Sequence, residues 1–340
     1  MSHLAQLQYA IGKPESTALI RQQPEHFQVK EQLSFELEGQ GQHVYLSIEK
    51  RGLNTNDVAI SLARFAGVKQ LAVGYAGLKD RHAVTLQWFS VDLAGKAEPD
   101  WAELNSENVR VVEVIRHSRK LKRGAVRSNH FQITLDEFNG EQEALIKRFE
   151  LVQQQGVPNY FGEQRFGRND ANLKQAEKLL KGEIKHIKRH LRGIYLSAVR
   201  SYLFNQVLSQ RVAGKTWNKP IPGDVFMLDG SHSVFTVDAI DEDILRRVNE
   251  FDIHPTGPMW GTGALMTVDK ALALEIRALQ PYHAWCEFLE NAGLKQERRA
   301  LRIKVTDIEW EFQGSNVVLR FGLPAGCYAT SVLRELVFYG

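Results

Sequence analysis

Apolar residues at period two run through the opening stretch of the chain and return near its end, with a helical texture between. His43–Glu49 puts Val44, Leu46 and Ile48 on one face. Leu71–Tyr75, Val84–Val91, Val109–Ile115 and His130–Leu135 also read as strands, the last with Phe131, Ile133 and Leu135 sharing a face. Ile303–Phe312 and Asn316–Gly322 read as two more close to the C-terminus. Such a pattern demands a sheet that is left and later rejoined, so it constrains the fold to a sheet domain carrying an insertion. Two helices fit among the early strands. Asn54–Ala66 has Thr55 or Asn56 as cap, Val58, Leu62 and Phe65 at helical spacing, and Gly67 closing it. Glu141–Gln155 has Leu145, Phe149 and Val152 in register and Gly156 ending it.

Beyond Gly156 the texture changes. Pro158–Asp170 is loop-like, rich in Gly, Asn and aromatics. Ser197–Arg211 reads as a helix with Val199, Leu203 and Val207 every fourth residue. Lys219–Asp224 reads as a turn, and Phe251–Gly263 as a Pro/Gly-rich loop. The expected fold class is α/β (α+β), with one domain over residues 1–155 and 303–340 interrupted by a mostly helical α/β domain over 156–302. A chain of 340 residues, 43% hydrophobic and 24% charged, can bury cores of this kind and is not globally disordered. Cys286 and Cys327 form no CxxC pair and cannot make a disulfide framework, which fits a reducing compartment. The N-terminal segment lacks the basic-then-apolar pattern of a signal peptide, and no stretch approaches the roughly 20 apolar residues of a membrane helix. A cytoplasmic protein with no membrane partner is expected.

The net charge, +3 from 43 basic and 40 acidic residues, does not by itself indicate nucleic-acid binding. Its distribution says more. Arg116–Arg127 (RHSRKLKRGAVR) contains no acid, Lys181–Arg192 (KGEIKHIKRHLR) has only Glu183, and Lys295–Lys304 is also basic. These are either solvated faces or sites for a polyanion whose phosphates offset the self-repulsion. His186 and His190 share helical spacing, but the neighbour of the first is Ile187 rather than Glu and no third ligand is evident, so no metal site is expected.

Between two expected strands lies Gly77–Gln87, GLKDRHAVTLQ. Gly77 permits a tight turn, onto which Lys79, Asp80, Arg81 and His82 are crowded. Basic neighbours favour an ionised Asp80, which suits a nucleophile or base working as an anion. On the residues alone, an aspartate capping an ordinary hairpin turn is the better reading of the segment.

The segment closely resembles the G-x-K-D-x-x-A-x-T-x-Q signature of the TruD family of tRNA pseudouridine synthases. Other blocks resemble the same family, in its order and across nearly the whole chain: PEHFQVKE at Pro24–Glu31, SNHF at Ser128–Phe131, PNYFGEQRFG at Pro158–Gly167, AVRSYLFNQ at Ala198–Gln206 and LPAGCYATSVLREL at Leu323–Leu336. The resemblance implies a pseudouridine-synthase domain with an antiparallel sheet and a family-specific insertion. It implies conversion of uridine to pseudouridine at uridine 13 of tRNA, notably tRNA for glutamate, with no obligate protein partner. It makes Asp80 the catalytic carboxylate and Phe131 the aromatic that stacks on the target uracil. Asn129, Phe27 and Tyr328 fall in blocks bordering the active site, and Lys79 is the family-matched basic residue. Arg21 stands where relatives often carry Lys. Glu163, Arg165, Arg200 and Asn205 are expected to organise the inserted domain or touch RNA.

The implied reaction breaks N1–C1′, turns the base and joins C5 to C1′. The product is an isomer, so no cofactor is expected. The base must leave its stack, and the pocket must recover that cost. Core packing beside Ile133 and Leu135 remains an alternative role for Phe131, and a strand-start turn for Asn129. Adjacent strand residues face opposite ways, so Lys79 reaches the site of Asp80 only if the backbone turns there. Three other functions compete. A non-catalytic RNA-binding factor could use the same basic surfaces. A methyltransferase would need a G-x-G-x-x-G loop, which the G-T-G at Gly261–Gly263 does not supply. A glycoside hydrolase would need a second catalytic carboxylate, which no block offers.

Overall fold

A computed structural model of the chain describes residues 6–184 and 186–339, which form two compact units. The sheet unit comprises Ser16–Glu141, Val305–Gly326 and Phe338–Gly340. Its strands are β1 (Thr17–Leu19), β2 (Phe27–Leu33), β3 (His43–Arg51), β4 (Val73–Tyr75), β5 (Val84–Asp92), β6 (Val109–His117), β7 (Val126–Asn139), β8 (Thr306–Gln313), β9 (Asn316–Pro324) and β10 (Phe338–Tyr339), with helix α1 at Thr55–Phe65. They form one sheet in the order β8-β9-β7-β2-β5-β3-β6, with β4 against β5 and β1 against β7 and β10. The pairings are antiparallel except β2–β5 and β1–β10. The sheet is therefore mixed rather than wholly antiparallel.

The period-two faces explain the core. Val44, Leu46 and Ile48 of β3 meet Phe89 and Val91 of β5, and α1 lays Val58, Ala59, Leu62 and Ala63 over them. Two charged residues fall in phase with these apolar faces. Lys50 continues the Val44–Leu46–Ile48 face, and Glu31 continues the Phe27–Val29 face. Both are buried.

The second unit comprises Met1–Glu15, Gln142–Lys304 and Cys327–Val337. Its central helix, Arg189–Ala213, is longer than the apolar period of Ser197–Arg211 indicates. Its first turns, rich in Arg and His, lie in solvent, where packing leaves no period to read. Helix Gln142–Gln155 belongs to this unit. Gly156 ends that helix at φ +72°, and an added Cβ would come within 2.2 Å of the Ile303 carbonyl oxygen. The Pro/Gly-rich stretch expected as a loop is a strand, Ile253–Met259. Proline normally weakens a strand by removing a ladder donor. Here the strand changes partner at Pro255/Thr256, from Val225–Leu228 to Glu297–Ala300, so neither ladder is continuous through it.

The interior of this unit is polar as well as apolar. Asn205 is fully buried, and its amide accepts from the Phe161 N–H (2.9 Å) and donates to the Phe161 carbonyl (3.0 Å). Asn205→Ala leaves both backbone groups unpaired. It is expected to cost about 1–3 kcal/mol, read as a lower urea midpoint at unchanged slope.

Candidate active site

The turn carrying Asp80 is tied to the sheet through its backbone. Thr55, in the first turn of α1, accepts the Lys79 N–H on its hydroxyl (3.0 Å) and donates to the Gln87 amide oxygen (3.0 Å). Gln87 donates back to the Gly77 carbonyl (2.6 Å). Thr55 was an expected helix cap; Asn54 occupies the N-cap position instead, leaving the Thr55 hydroxyl for the turn. Lys50 reaches the turn from β3, its ammonium donating to the carbonyls of Leu53 (2.8 Å) and Asp80 (3.1 Å). Burial pushes the Lys50 pKa down to about 8. The nearby Asp80 charge opposes that shift, and the Lys79 charge adds to it.

The Asp80 carboxylate faces Arg21, whose guanidinium lies 3.5 Å away. Arg21 has a left-handed backbone, φ 59°, a conformation that costs a non-glycine residue on the order of 1 kcal/mol. Its guanidinium sits 4.2 Å from the Phe27 ring centroid, a cation–π contact that helps hold it there. Lys79 does not reach the Asp80 carboxylate's partner; the two adjacent side chains diverge. Lys79 points to a different pair of groups, the Glu31 carboxylate (2.9 Å) and the Asn129 amide oxygen. Burial raises the Glu31 pKa, and the Lys79 ammonium opposes the rise. Asn129 is thereby oriented by a buried ion pair, with its oxygen accepting from Lys79.

One row of residues crosses the sheet beneath these groups. Lys50 pairs with Thr85, Thr85 with Val29, Val29 with Phe131 and Phe131 with Phe321. Paired residues share a face, so Phe131 lies on the side that Lys50 serves. Phe321 stacks on it at 5.4 Å, and Phe27 meets it edge-on at 6.1 Å. Both neighbours are buried while Phe131 is half-buried, so packing fixes its orientation and leaves part of the ring open.

Of the residues the sequence singles out, Phe27, Lys79, Asp80, Asn129 and Phe131 are in the sheet unit. Tyr328 is in the second unit, half-buried at the start of helix Ala329–Leu336, its ring 6.0 Å from Phe161. Arg165 donates to the Ser197 hydroxyl, and Arg200 pairs with Glu297 and donates to the Met259 carbonyl. Both therefore tie parts of the second unit together. The basic stretch Lys295–Lys304 is not a solvated face. Arg298 is buried against Glu275 (2.6 Å), Arg302 donates to the Val248 carbonyl (2.6 Å), and Arg299 lies over Phe161. They lie on two short strands, Glu297–Ala300 and Arg302–Ile303, packed into the unit. In Lys181–Arg192, Lys185 lies outside the described residues; Lys188, Arg189, His190 and Arg192 are exposed.

The mixed sheet and its helices are consistent in fold with the pseudouridine synthase class. A crystal structure assigned to TruD from Methanosarcina mazei matches its fold with a TM-score of 0.73 at 22% identity, covering 97% of this chain and 95% of that one. Within the class the chain belongs to the tRNA pseudouridine synthase D (TruD) family, whose model matches residues 4–186 and 171–336, and it is an isomerase of that family. It is 51% identical over 334 residues to the tRNA pseudouridine synthase D of Nitrosococcus oceani, covering 97% of this chain and 93% of the relative. It is also 51% identical over 329 residues to that of Methylococcus capsulatus, covering 96% and 93%.

Proposed function

We propose that this chain converts uridine to pseudouridine at position 13 of tRNA, including tRNA for glutamate, with Asp80 as its catalytic carboxylate and no cofactor. Residues 1–155 and 303–340 make the catalytic domain and residues 156–302 the inserted TruD domain. The protein works in the cytoplasm without an obligate protein partner. What carries this reading is the convergence of a positioned carboxylate with an open aromatic ring braced by two buried ones.

The extruded uracil stacks on Phe131, and the Asn129 amide, held by Lys79, offers a donor to its edge. Phe27 braces both Phe131 and Arg21. Arg21 faces the Asp80 carboxylate and directs it. Asp80 acts where N1–C1′ breaks and C5–C1′ forms. The hydrogen at C5 leaves to water, and N1 gains a proton, so no electrons are exchanged with any other molecule.

The test uses unmodified tRNA carrying tritium at uridine C5, purified protein, chelator and no added cofactor. Label should appear in water with one equivalent released per tRNA, and sequencing should place the pseudouridine at position 13. Tight binding without release from any tRNA would instead favour a non-catalytic RNA-binding factor.

A further inference from the structure

Where β4 leads into the Asp80 turn lies a recess of about 410 Å³, lined by Val73, Gly74, Tyr75, Lys120, Leu121, Lys122 and Arg123. It contains three cations and no acid. We propose that it binds the RNA strand next to the target nucleotide, with Arg123 and Lys122 on a phosphate and Tyr75 against the neighbouring base. This deepens the function proposed above and rests on it.

The recess is built rather than incidental. The loop over it is fastened at two points: the Leu121 N–H donates to the Ser90 hydroxyl (2.9 Å), and the Gly124 N–H donates to the Ala76 carbonyl (2.9 Å). Gly74 lets the loop approach, since a Cβ there would lie 2.4 Å from the Leu121 carbonyl oxygen. The cations divide by role. Arg116 pairs with Glu98, and Lys120 donates to the Leu71 carbonyl. Lys122 and Arg123 are exposed and make no ion pair among the described residues. Arg123 lies 5.6 Å from the Tyr75 ring centroid and 3.5 Å from its hydroxyl. That contact is loose and leaves most of the guanidinium's donors for a phosphate.

The Tyr75 ring is half-buried and rests edge-on against Phe89 at 6.2 Å. Leu71 and Leu78, on either side of it in sequence, are 85% and 67% exposed. Apolar and aromatic surface among unpaired cations suits a nucleobase and its phosphate better than it suits water. Tyr75 is also five residues from Asp80 in sequence, so the two lie at most about 18 Å apart by chain reach. A strand delivering one base to Asp80 therefore passes within reach of this recess.

The experiment measures tRNA binding in an Asp80→Asn background, where turnover cannot interfere, across salt concentrations. Label release is measured in parallel with Asp80 intact. Arg123→Ala, at an exposed side chain, should weaken binding about tenfold and flatten the log–log salt slope by about one, the signature of one lost phosphate contact. Label release per unit tRNA at low concentration should fall in the same proportion, and Arg123→Lys should restore part of the salt slope. Tyr75→Ala should weaken binding about tenfold without changing the salt slope, because it removes a stacked base and no phosphate contact, with thermal melting confirming that each variant is folded. Unchanged affinity and slope in Arg123→Ala, while the parent enzyme releases label normally, would overturn the recess as an RNA subsite and leave the synthase reading standing. Absence of release by the parent itself would count against the synthase reading, whatever the variants bind.

Discussion

Asp80→Asn should abolish release of C5 tritium, to at least about a thousandfold below the parent, the scale on which catalytic bases and nucleophiles act. The same variant should fold and bind tRNA as before. The reason lies in how the turn is held. Thr55 anchors the Lys79 N–H, Gln87 the Gly77 carbonyl and Lys50 the Asp80 carbonyl. These are backbone attachments, and the substitution leaves all of them in place. The side chain is 28% exposed and meets Arg21 at a long 3.5 Å, so losing its charge weakens a solvent-screened attraction and leaves the backbone attachments of the turn as they are. Loss of one negative charge beside a polyanion should not weaken binding. Single-turnover release and filter binding on the same preparations separate the two effects. Release by the variant at near-parent rate would remove Asp80 from the chemistry.

Much of the sheet was legible because its faces alternate. Val44, Leu46 and Ile48 predict their own burial, and so do Ile133 and Leu135 of the face they share with the half-buried Phe131, part of a strand that runs on to Asn139. The second unit was harder to read. The exposed first turns of Arg189–Ala213 carry no packing period, and the prolines of Ile253–Met259 mask a strand whose pairing switches sides. The basic stretch Lys295–Lys304 misled in the opposite direction. Charge composition does not reveal that strand geometry turns Arg298 and Arg302 onto Glu275 and the Val248 carbonyl.

At the site, motif residues were visible as types in a row, but their partners were not. Lys79 and Asp80 are neighbours in sequence and serve different groups, because the turn directs one to Glu31 and Asn129 and the other towards Arg21. Glu31 and Lys50 went unnoticed although the alternation marked them. Each is a charge at the position where an apolar face should continue. A buried charge needs compensation, so this phase mismatch is a signal for a functional or positioning group that a strand prediction alone passes over.

Lys50→Met tests that signal in two independent ways. The Lys50 pKa is near 8 in the folded chain, against 10.5 for an ordinary lysine. Between those two pH values the unfolded chain holds a proton that the folded chain has released. Stability then rises with pH across this window, by up to about 3 kcal/mol from this one group. Below pH 8 both states are protonated and the contribution is flat. The urea midpoint of the parent, relative to that of Lys50→Met, should therefore climb from pH 8 to 10.5 and be level from pH 6 to 7.5. The second consequence is catalytic. Methionine fills the space but donates nothing, so the carbonyls of Leu53 and Asp80 lose the bonds that fix the turn. A displacement of the carboxylate by a fraction of an ångström to one ångström should slow label release about 10- to 100-fold. Binding of tRNA should stay near the parent value, because Lys50 is buried and contacts no solvent. A variant that turns over as fast as the parent would show that the Asp80 turn holds its geometry without Lys50. In that case the buried ammonium would be a feature of folding alone, and only the pH window would remain to report it.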